Sequence, residues 1–170
     1  VFPVLETQAI LDMDDGLPEG ARFGDMDDPA IWVHPEEPAR SLVVAVLKEG
    51  GLEVYDLDGN VVQSISPDGV RYNNVDLRYG FPLGGQSVDL FAATDRFGDK
   101  FAFFVVDPAS GQLTDVTDPA NPLLFTPPGQ ASDATTTAYG VALHRNPVNN
   151  QTYAFVNRRE TGELAQYEIA

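Results

Sequence analysis

Short runs of hydrophobic residues alternate with turn residues along most of this chain. Ten runs, rich in Val, Leu, Phe, Ala and Tyr, have the length and composition of β-strands. They are residues 30–34, 42–47, 52–57, 61–66, 75–79, 88–94, 101–107, 138–144, 152–156 and 163–169. The 15 glycines and 13 prolines interrupt the chain too often for long helices. Asp58-Gly59 suits the positive φ angles of a hairpin turn. The pattern therefore predicts an antiparallel all-β protein.

A loose internal repeat groups these strands, with copies at residues 41–59, 87–107 and 151–169. Each copy has a strand of small hydrophobic residues, which we expect to be an inner strand, then a turn with a basic residue, then a second strand. The spacing suits four-stranded blades joined by loops of variable length, which indicates a β-propeller. Since propellers have about four to eight blades, about three blades do not close a ring.

The basic residues of the three turns are Lys48, Arg96 and Arg159, or Arg158 in its place. Equivalent points of adjacent propeller blades meet on one face around the axis, so these cations are expected to converge. A cluster of this kind fits a multiply charged anion such as a phosphate ester. Lys and Arg also occur in turns by chance, which is the alternative.

Carboxylates crowd the segment Asp25-Met26-Asp27-Asp28-Pro29. Three carboxylates within four residues repel one another unless a cation lies between them, and Ca²⁺ prefers such oxygen ligands. A solvated acidic loop is the commoner explanation of such a run. The spacing does not match an EF-hand.

Two amides, Asn73 and Asn74, precede a predicted strand. They are typical turn residues, and they are also able to give oxygens to a metal. His34 and His144 form neither a zinc motif nor a recognisable triad, so we expect structural roles for both.

The chain of 170 residues has 26 acidic and 10 basic residues, a net charge of −16. Its length predicts one main domain at 25–170, after an acidic N-terminal arm or edge strand at 1–24. The charge argues against binding to nucleic acid or to an anionic membrane surface. The absence of cysteine excludes disulfides, thiolate metal sites and cysteine nucleophiles.

Six motifs, in order along the chain, resemble the β-propeller phytases. They are residues 27–34, 51–59, 73–79, 117–119, 139–140 and 166–169. These phytases are secreted, calcium-dependent bacterial enzymes that remove phosphates from myo-inositol hexakisphosphate (phytate). The resemblance begins near Asp25 and covers the N-terminal half of the family's chain, about three of its six blades. It implies an extracellular or periplasmic protein. The sequence starts with Val1 and shows no signal peptide, so we expect that a leader was removed or that the chain is excised from a longer one.

The resemblance also implies roles for individual residues. Asp27 and Asp28, with Asp25 beside them, match acids of a face filled with several Ca²⁺ ions. The segment from Asn73 to Val75 matches a stretch whose oxygens, including the Val75 carbonyl, bind calcium. The phosphate-contacting positions of the family are matched by Lys48, Arg96, Tyr139 and Arg159. Arg159 stands where the family usually has Lys.

Two departures from the family pattern affect the expected function. The family usually has two successive lysines where this chain has Lys48-Glu49. A carboxylate there removes one phosphate contact and adds repulsion, so we expect weaker substrate binding unless another calcium binds. The family's remaining calcium-ligating acids belong to its second half. No general base or nucleophile is visible in the present sequence.

Three hypotheses follow. The first is a calcium-dependent phytase domain whose ring is completed by a second copy or by a downstream domain. The second is a non-catalytic module that binds phytate, other phosphate esters or calcium for a neighbouring active phytase domain. The third is a calcium-stabilised propeller fragment without a ligand role.

Overall fold

A computed structural model describes residues 3–10 and 24–170. Most of the predicted arm at 1–24 therefore lies outside the described residues. The described part forms eleven strands and one short 3-10 helix, Pro38–Arg40, and it has no α-helix. It also contains no helix with the length and apolar character needed to cross a membrane.

Three antiparallel sheets contain the strands. The first sheet comprises β1 (Met26–Trp32), β2 (Leu42–Leu47), β3 (Gly51–Tyr55) and β4 (Val61–Ile65). The second comprises β5 (Tyr72–Leu83), β6 (Gln86–Asp95), β7 (Lys100–Val106) and β8 (Leu113–Asp115). The third comprises β9 (Ala138–Arg145), β10 (Thr152–Arg158) and β11 (Leu164–Ile169). Within each sheet, strands that follow one another in sequence are neighbours, which is the order of a propeller blade.

All ten predicted strands are present, and the prediction of an antiparallel all-β fold with about three blades is confirmed. The prediction missed β8, because a strand of three residues with two exposed polar side chains has no recognisable alternation. It also made β5 too short. That strand carries Asn73, Asn74, Asp76 and Arg78, which mask its hydrophobic pattern.

The inner strands are not the ones that the repeat suggested. The repeat copies correspond to the second and third strand of each sheet, whereas β5 packs directly against β1 and β9 of the neighbouring sheets. The expectation that each copy starts with an inner strand is therefore wrong. The true inner strands β1, β5 and β9 carry polar residues that differ from sheet to sheet, so they share no composition that a repeat could reveal.

Buried side chains hold neighbouring sheets together. Between the first and second sheets the core contains Trp32, Val44 and Leu52 on one side and Phe91 and Phe104 on the other. A second core joins the second and third sheets. Its buried members are Phe101, Leu124, Ala138, Ala154 and Val156. Face-to-face packing of this kind fixes the sheets as adjacent blades and brings the same end of each inner strand to one side of the molecule.

His34 has a structural role. Its ring is buried, and Nδ1 accepts the backbone N–H groups of Glu36 and Glu37 at 3.2 and 3.0 Å. Nδ1 is therefore unprotonated, and Nε2–H donates to the Pro108 carbonyl at 3.0 Å. His144 is exposed on β9.

Candidate phosphate and metal site

The first inner strand begins with a β-bulge. Met26 pairs with Leu47 and Pro29 pairs with Ala45, so two residues of β1, Asp27 and Asp28, lie opposite a single residue of β2. A bulge of this type bends the strand and changes the direction of its side chains, and bulges are frequent beside active sites.

The other two inner strands have a bulge at the same point. In the second sheet Asn73-Asn74 lie opposite Thr94. In the third sheet Tyr139-Gly140 lie opposite Asn157. The three bulges thus contain five of the residues that the sequence singled out, Asp27, Asp28, Asn73, Asn74 and Tyr139. The bulges could not be predicted from the sequence, because they depend on strand register.

A repeated backbone hydrogen bond defines the equivalent basic residues. The N–H of Lys48 donates to the carbonyl of Asp25 at 3.1 Å. In the same way Arg96 N–H donates to Arg71 at 2.8 Å, and Arg159 N–H donates to Thr137 at 2.9 Å. Each basic residue therefore follows the second strand of its sheet and is tied to the residue just before the inner strand, two positions before its bulge.

The same bond decides between the two adjacent arginines of the third sheet. Arg159 is the structural equivalent of Lys48 and Arg96. Arg158 is engaged elsewhere, since its Nε donates to the Thr136 carbonyl and its NH1 pairs with Glu163 at 2.8 Å.

These residues share one edge because the strands are antiparallel. The start of each inner strand lies beside the end of the strand that follows it. Electrostatic interactions show the proximity across sheets: the pKa of Arg96 is lowered by burial and then by the cations Arg159 and Arg71. Tyr139 contributes to the raised pKa of Lys48 and partly offsets the lowered pKa of Arg96, so it lies near both residues. The structure thus brings together the predicted group Lys48, Arg96, Tyr139 and Arg159.

Lys48 lies between two of the crowded carboxylates. Its Nζ is 2.9 Å from Asp25 Oδ2 and 3.6 Å from Asp27 Oδ2. The hydrogen bond to Asp25 is the main cause of the raised pKa of Lys48, which partial burial opposes. The side chain is consequently a permanent cation at neutral pH, and it neutralises part of the acidic segment.

The third carboxylate points to the next sheet. Asp28 Oδ2 accepts the backbone N–H of Val75 at 3.1 Å, which joins the first bulge to the second. Asn73 beside it is 0% exposed, and both polar atoms of its amide lack a hydrogen-bond partner within the described part of the chain. The same holds for Asn74 Oδ1. Such unsatisfied atoms each cost roughly 1–3 kcal/mol, so the geometry favours a ligand at this point.

The donor set fits a hard cation when amide and carboxylate oxygens are counted together. Among residues 3–10 and 24–170, no group of three or more His, Cys, Asp or Glu side chains is placed to hold a metal. Calcium also accepts amide and carbonyl oxygens. Asp27, Asp28 and the unsatisfied amides of Asn73 and Asn74 therefore provide suitable chemistry for Ca²⁺.

A rigid loop flanks the two arginines. Arg96 Nε donates to the Ala134 carbonyl at 2.8 Å, and Arg159 NH1 reaches the Thr135 carbonyl at 3.4 Å. The Asp133 carboxylate accepts the hydroxyl of Thr136 and the backbone N–H groups of Thr135 and Thr136. These bonds lower the pKa of Asp133 to about 2.

Asp99, which no motif in the sequence singled out, holds the start of the third sheet. Its side chain is fully buried. Oδ1 accepts the N–H of Ala138 at 2.9 Å, next to Tyr139, while Oδ2 accepts the N–H groups of Phe125 and Thr126 at 2.8 and 2.6 Å. These partners are more than 25 residues away, so no local pattern could reveal them.

Comparison with known proteins identifies the group to which this architecture belongs. A sequence model of the phytase family matches residues 8–170. A 3-phytase of Bacillus subtilis (strain 168) is 39% identical over 145 residues, which cover 84% of this chain and 35% of that protein. The chain therefore spans about a third of the length of the curated relative that it matches. These two matches show that the chain belongs to the phytase family.

Proposed function

We propose that this domain binds myo-inositol hexakisphosphate and takes part in the calcium-dependent hydrolysis of its phosphate monoesters. The observation that carries the proposal is the threefold arrangement at one edge. Lys48, Arg96 and Arg159 occupy equivalent positions, and each follows a strand that lies opposite a bulge. A substrate with several phosphates around a ring matches several cations contributed by successive blades.

Each member of the cationic group has a distinct part in binding. Lys48 acts as a point charge, whereas Arg96 and Arg159 offer planar forks that suit two phosphate oxygens. Tyr139, which lies near Lys48 and Arg96, would offer its hydroxyl to a phosphate oxygen. Their common effect is to orient the scissile phosphate and to stabilise its charge.

Calcium is part of the proposal. Asp27, Asp28 and Asn73 would hold it together with the Val75 carbonyl, and Asp25 would act through Lys48. When bound, Ca²⁺ supplies positive charge for the substrate phosphates and lowers the pKa of a coordinated water. The protein contributes the placement of its own groups: Asp28 is fixed by the Val75 N–H, and Lys48 is held by Asp25.

We further propose that additional blades complete the ring, from a second copy or from another part of a longer protein. In the third sheet Ala154 and Val156 face the second sheet, so Tyr153 and Phe155 point to the opposite side. The structure describes nothing that covers this opposite face. The corresponding face of the first sheet, with Val44 and Val46, is fully buried by its neighbour.

Phosphate release from inositol hexakisphosphate tests the hydrolytic function. We expect release in calcium buffer and loss of release with a chelator. The variant Arg96→Gln should release phosphate at least tenfold more slowly, because an arginine–phosphate contact contributes about 1.5–3 kcal/mol. Arg40→Gln is the matched control, since Arg40 lies outside the site at the end of the 3-10 helix, where it pairs with Glu37 and donates to the Pro108 and Ala109 carbonyls. Equal rates for the two variants would contradict the proposal.

A non-catalytic binding module is the second candidate. It is favoured by the contacts of Lys48, whose ammonium group neutralises Asp25 and Asp27. Because these carboxylates are already paired, they are less available to hold the calcium ions that hydrolysis would need. The described residues thus supply more of a phosphate clamp than of a hydrolytic centre. Calorimetric binding of inositol hexakisphosphate without any phosphate release, in the presence of calcium, would decide for the binding module.

A further inference from the structure

Glu49 faces a cation of the neighbouring sheet. It directly follows Lys48, and its backbone N–H donates to the Gly24 carbonyl at 3.0 Å. Its side chain is 27% exposed, and Oε1 lies 3.5 Å from NH1 of Arg71. The carboxylate that replaces a lysine of the family pattern is therefore paired with an arginine that precedes β5.

Arg71 is positioned beside Arg96. Its carbonyl accepts the Arg96 N–H at 2.8 Å, so the two residues are adjacent across the sheet edge. Its guanidinium carbon lies 5.9 Å from the centre of the Phe97 ring, within the range of a cation–π contact. Arg71 occupies in the second sheet the place that Asp25 occupies in the first.

Arg71 retains unused donors. The guanidinium has five N–H donors, and the described residues give them one contact, the long one with Glu49. Its Nε is buried and has no hydrogen-bond partner within the same residues. With Arg96 and Arg159 it forms a group of three arginines at one edge. Like charges in such proximity are most stable around an anion.

We propose that Arg71 is a further phosphate-binding residue of this site and that Glu49 is the residue that positions it. The inference rests on the proposed function and names a determinant of its substrate affinity. A phosphate monoester held by Arg96 would accept additional hydrogen bonds from Arg71. Arg71 then supplies the positive charge that the family's second lysine would have at position 49. On this proposal Glu49 does not weaken phosphate binding, in contrast to the expectation from the sequence alone.

Calorimetric titration of the calcium-loaded domain with inositol hexakisphosphate tests the role of Arg71. Arg71→Gln should weaken binding about 10- to 100-fold, the range of a charge-assisted hydrogen bond. Arg71→Lys, which keeps the charge and loses the fork, should recover part of this loss. Arg40→Gln, the charge-matched control, should bind within about twofold of the wild type. Circular dichroism melting shows whether each variant is folded at the titration temperature.

The role of Glu49 is tested by a double-mutant cycle. If Glu49 positions Arg71, Glu49→Gln weakens binding in the wild type and has no effect in the Arg71→Gln background. If the carboxylate instead repels the substrate, Glu49→Gln strengthens binding in both backgrounds, and that result overturns the positioning role. A merely structural effect of Glu49 would weaken binding equally in both, which also contradicts it.

Arg96→Gln separates this inference from the proposed function. If Arg96→Gln loses binding while Arg71→Gln and Arg71→Lys behave like the Arg40→Gln control, Arg71 is not a phosphate ligand and the proposed function stands. If the wild-type domain binds neither inositol hexakisphosphate nor inorganic phosphate with calcium present, the proposed function fails and the inference fails with it.

Discussion

Single charged residues at the site edge are satisfied by partners that are distant in sequence. Lys48 is shared between Asp25 and Asp27, Asp28 is bound to a backbone N–H of the next sheet, and Asp99 accepts three backbone N–H groups. The acidic residues behind the net charge of −16 therefore do not act only by repelling one another. At this edge they are organised into hydrogen bonds that position cations.

Lys48→Met should make the stability of the domain depend on calcium. The substitution leaves Asp25 and Asp27 facing each other without their cation. Because the pair is partly exposed, we expect a loss of about 1 kcal/mol. Added Ca²⁺ should restore much of this loss by taking the place of the ammonium group between the carboxylates. Thermal melting with and without calcium measures both effects.

The control for Lys48→Met is Arg40→Met, which removes the cation of an exposed pair at a different edge. Its melting temperature should not respond to calcium.

The pKa of Lys48 is raised in the folded state, so the stabilisation from Lys48 is complete at any pH below the ordinary lysine pKa. That stabilisation is lost only as the pH rises through the folded pKa. Melting of the wild type between pH 6 and pH 9 should accordingly show no step from Lys48. Equal calcium responses of the two variants would refute the shared-cation arrangement.

Asp133 should titrate well below an ordinary aspartate. Its folded pKa is about 2, lowered first by the Thr136 hydroxyl and then by the backbone N–H groups of Thr135 and Thr136. A lowered folded pKa stabilises the loop above the ordinary value of about 4, and the contribution is lost as the pH falls towards 2. NMR titration of the Thr136 amide should show a midpoint near 2. Asp133→Asn should abolish that step, and a midpoint near 4 would show that the loop bonds are absent.

The strands and the edge residues differ in how far the sequence could predict them. Hydrophobic alternation located ten of the eleven strands. The lengths of the predicted strands determine where the turns lie, so the sequence also placed Lys48, Arg96 and Arg159 in equivalent turns. The bulges could not be predicted, since an extra residue in a strand is visible only when its partner strand is known. Arg71 and Asp99 were missed for the same reason, because their roles depend on partners in other strands and loops.

The three bulges act as one structural device with different side chains. Each places two consecutive residues opposite one, and each begins an inner strand. In the third sheet the bulge is closed by the side chain of Asn157, which accepts the Gly140 N–H at 2.8 Å. This bond holds Tyr139 beside Thr94, whose hydroxyl donates to the Tyr139 carbonyl.

Gly140→Ala should loosen this bulge. A Cβ at position 140 would lie 2.4 Å from Asn157 Oδ1, so the Asn157 side chain must move and its hydrogen bond is lost. We expect a destabilisation of about 0.5–1.5 kcal/mol, the net contribution of one hydrogen bond, and weaker binding of inositol hexakisphosphate through displaced Tyr139. Urea unfolding and calorimetry measure the two effects.

A second cycle isolates the cause. In the Asn157→Ala background the obstructing oxygen is gone, so adding Gly140→Ala should cost little further stability. If Gly140→Ala is equally costly in both backgrounds, its effect comes from the backbone and not from Asn157, and the proposed closure of the bulge is wrong.

At the scale of the whole molecule, charge and shape lead to the same expectation. The cations gather at one edge of the inner strands, where a closed ring would surround them with further blades. The third sheet presents half-buried Tyr153 and Phe155 and exposed Leu164 on the side away from the second sheet. In the first sheet the equivalent side is covered by its neighbour. Exposed or half-buried apolar side chains grouped among polar ones, here Gln166 and Glu168, often mark an interaction surface.

The ring hypothesis predicts a calcium-dependent particle of twice the mass of the 170-residue chain. Phe155→Glu would put a charge at the centre of the third-sheet face that points away from the second sheet. Burying that charge under a second copy costs several kcal/mol, so this variant should remain monomeric. Ile31→Glu changes an exposed side chain of the first inner strand. A second copy that closes the ring contacts the first sheet as well as the third, so this variant should also weaken association. A second copy that packs on the third sheet alone would tolerate the change. Sedimentation with and without calcium distinguishes these outcomes. If the wild type stays monomeric with calcium and still releases phosphate from inositol hexakisphosphate, three blades suffice for the chemistry and ring completion is not required.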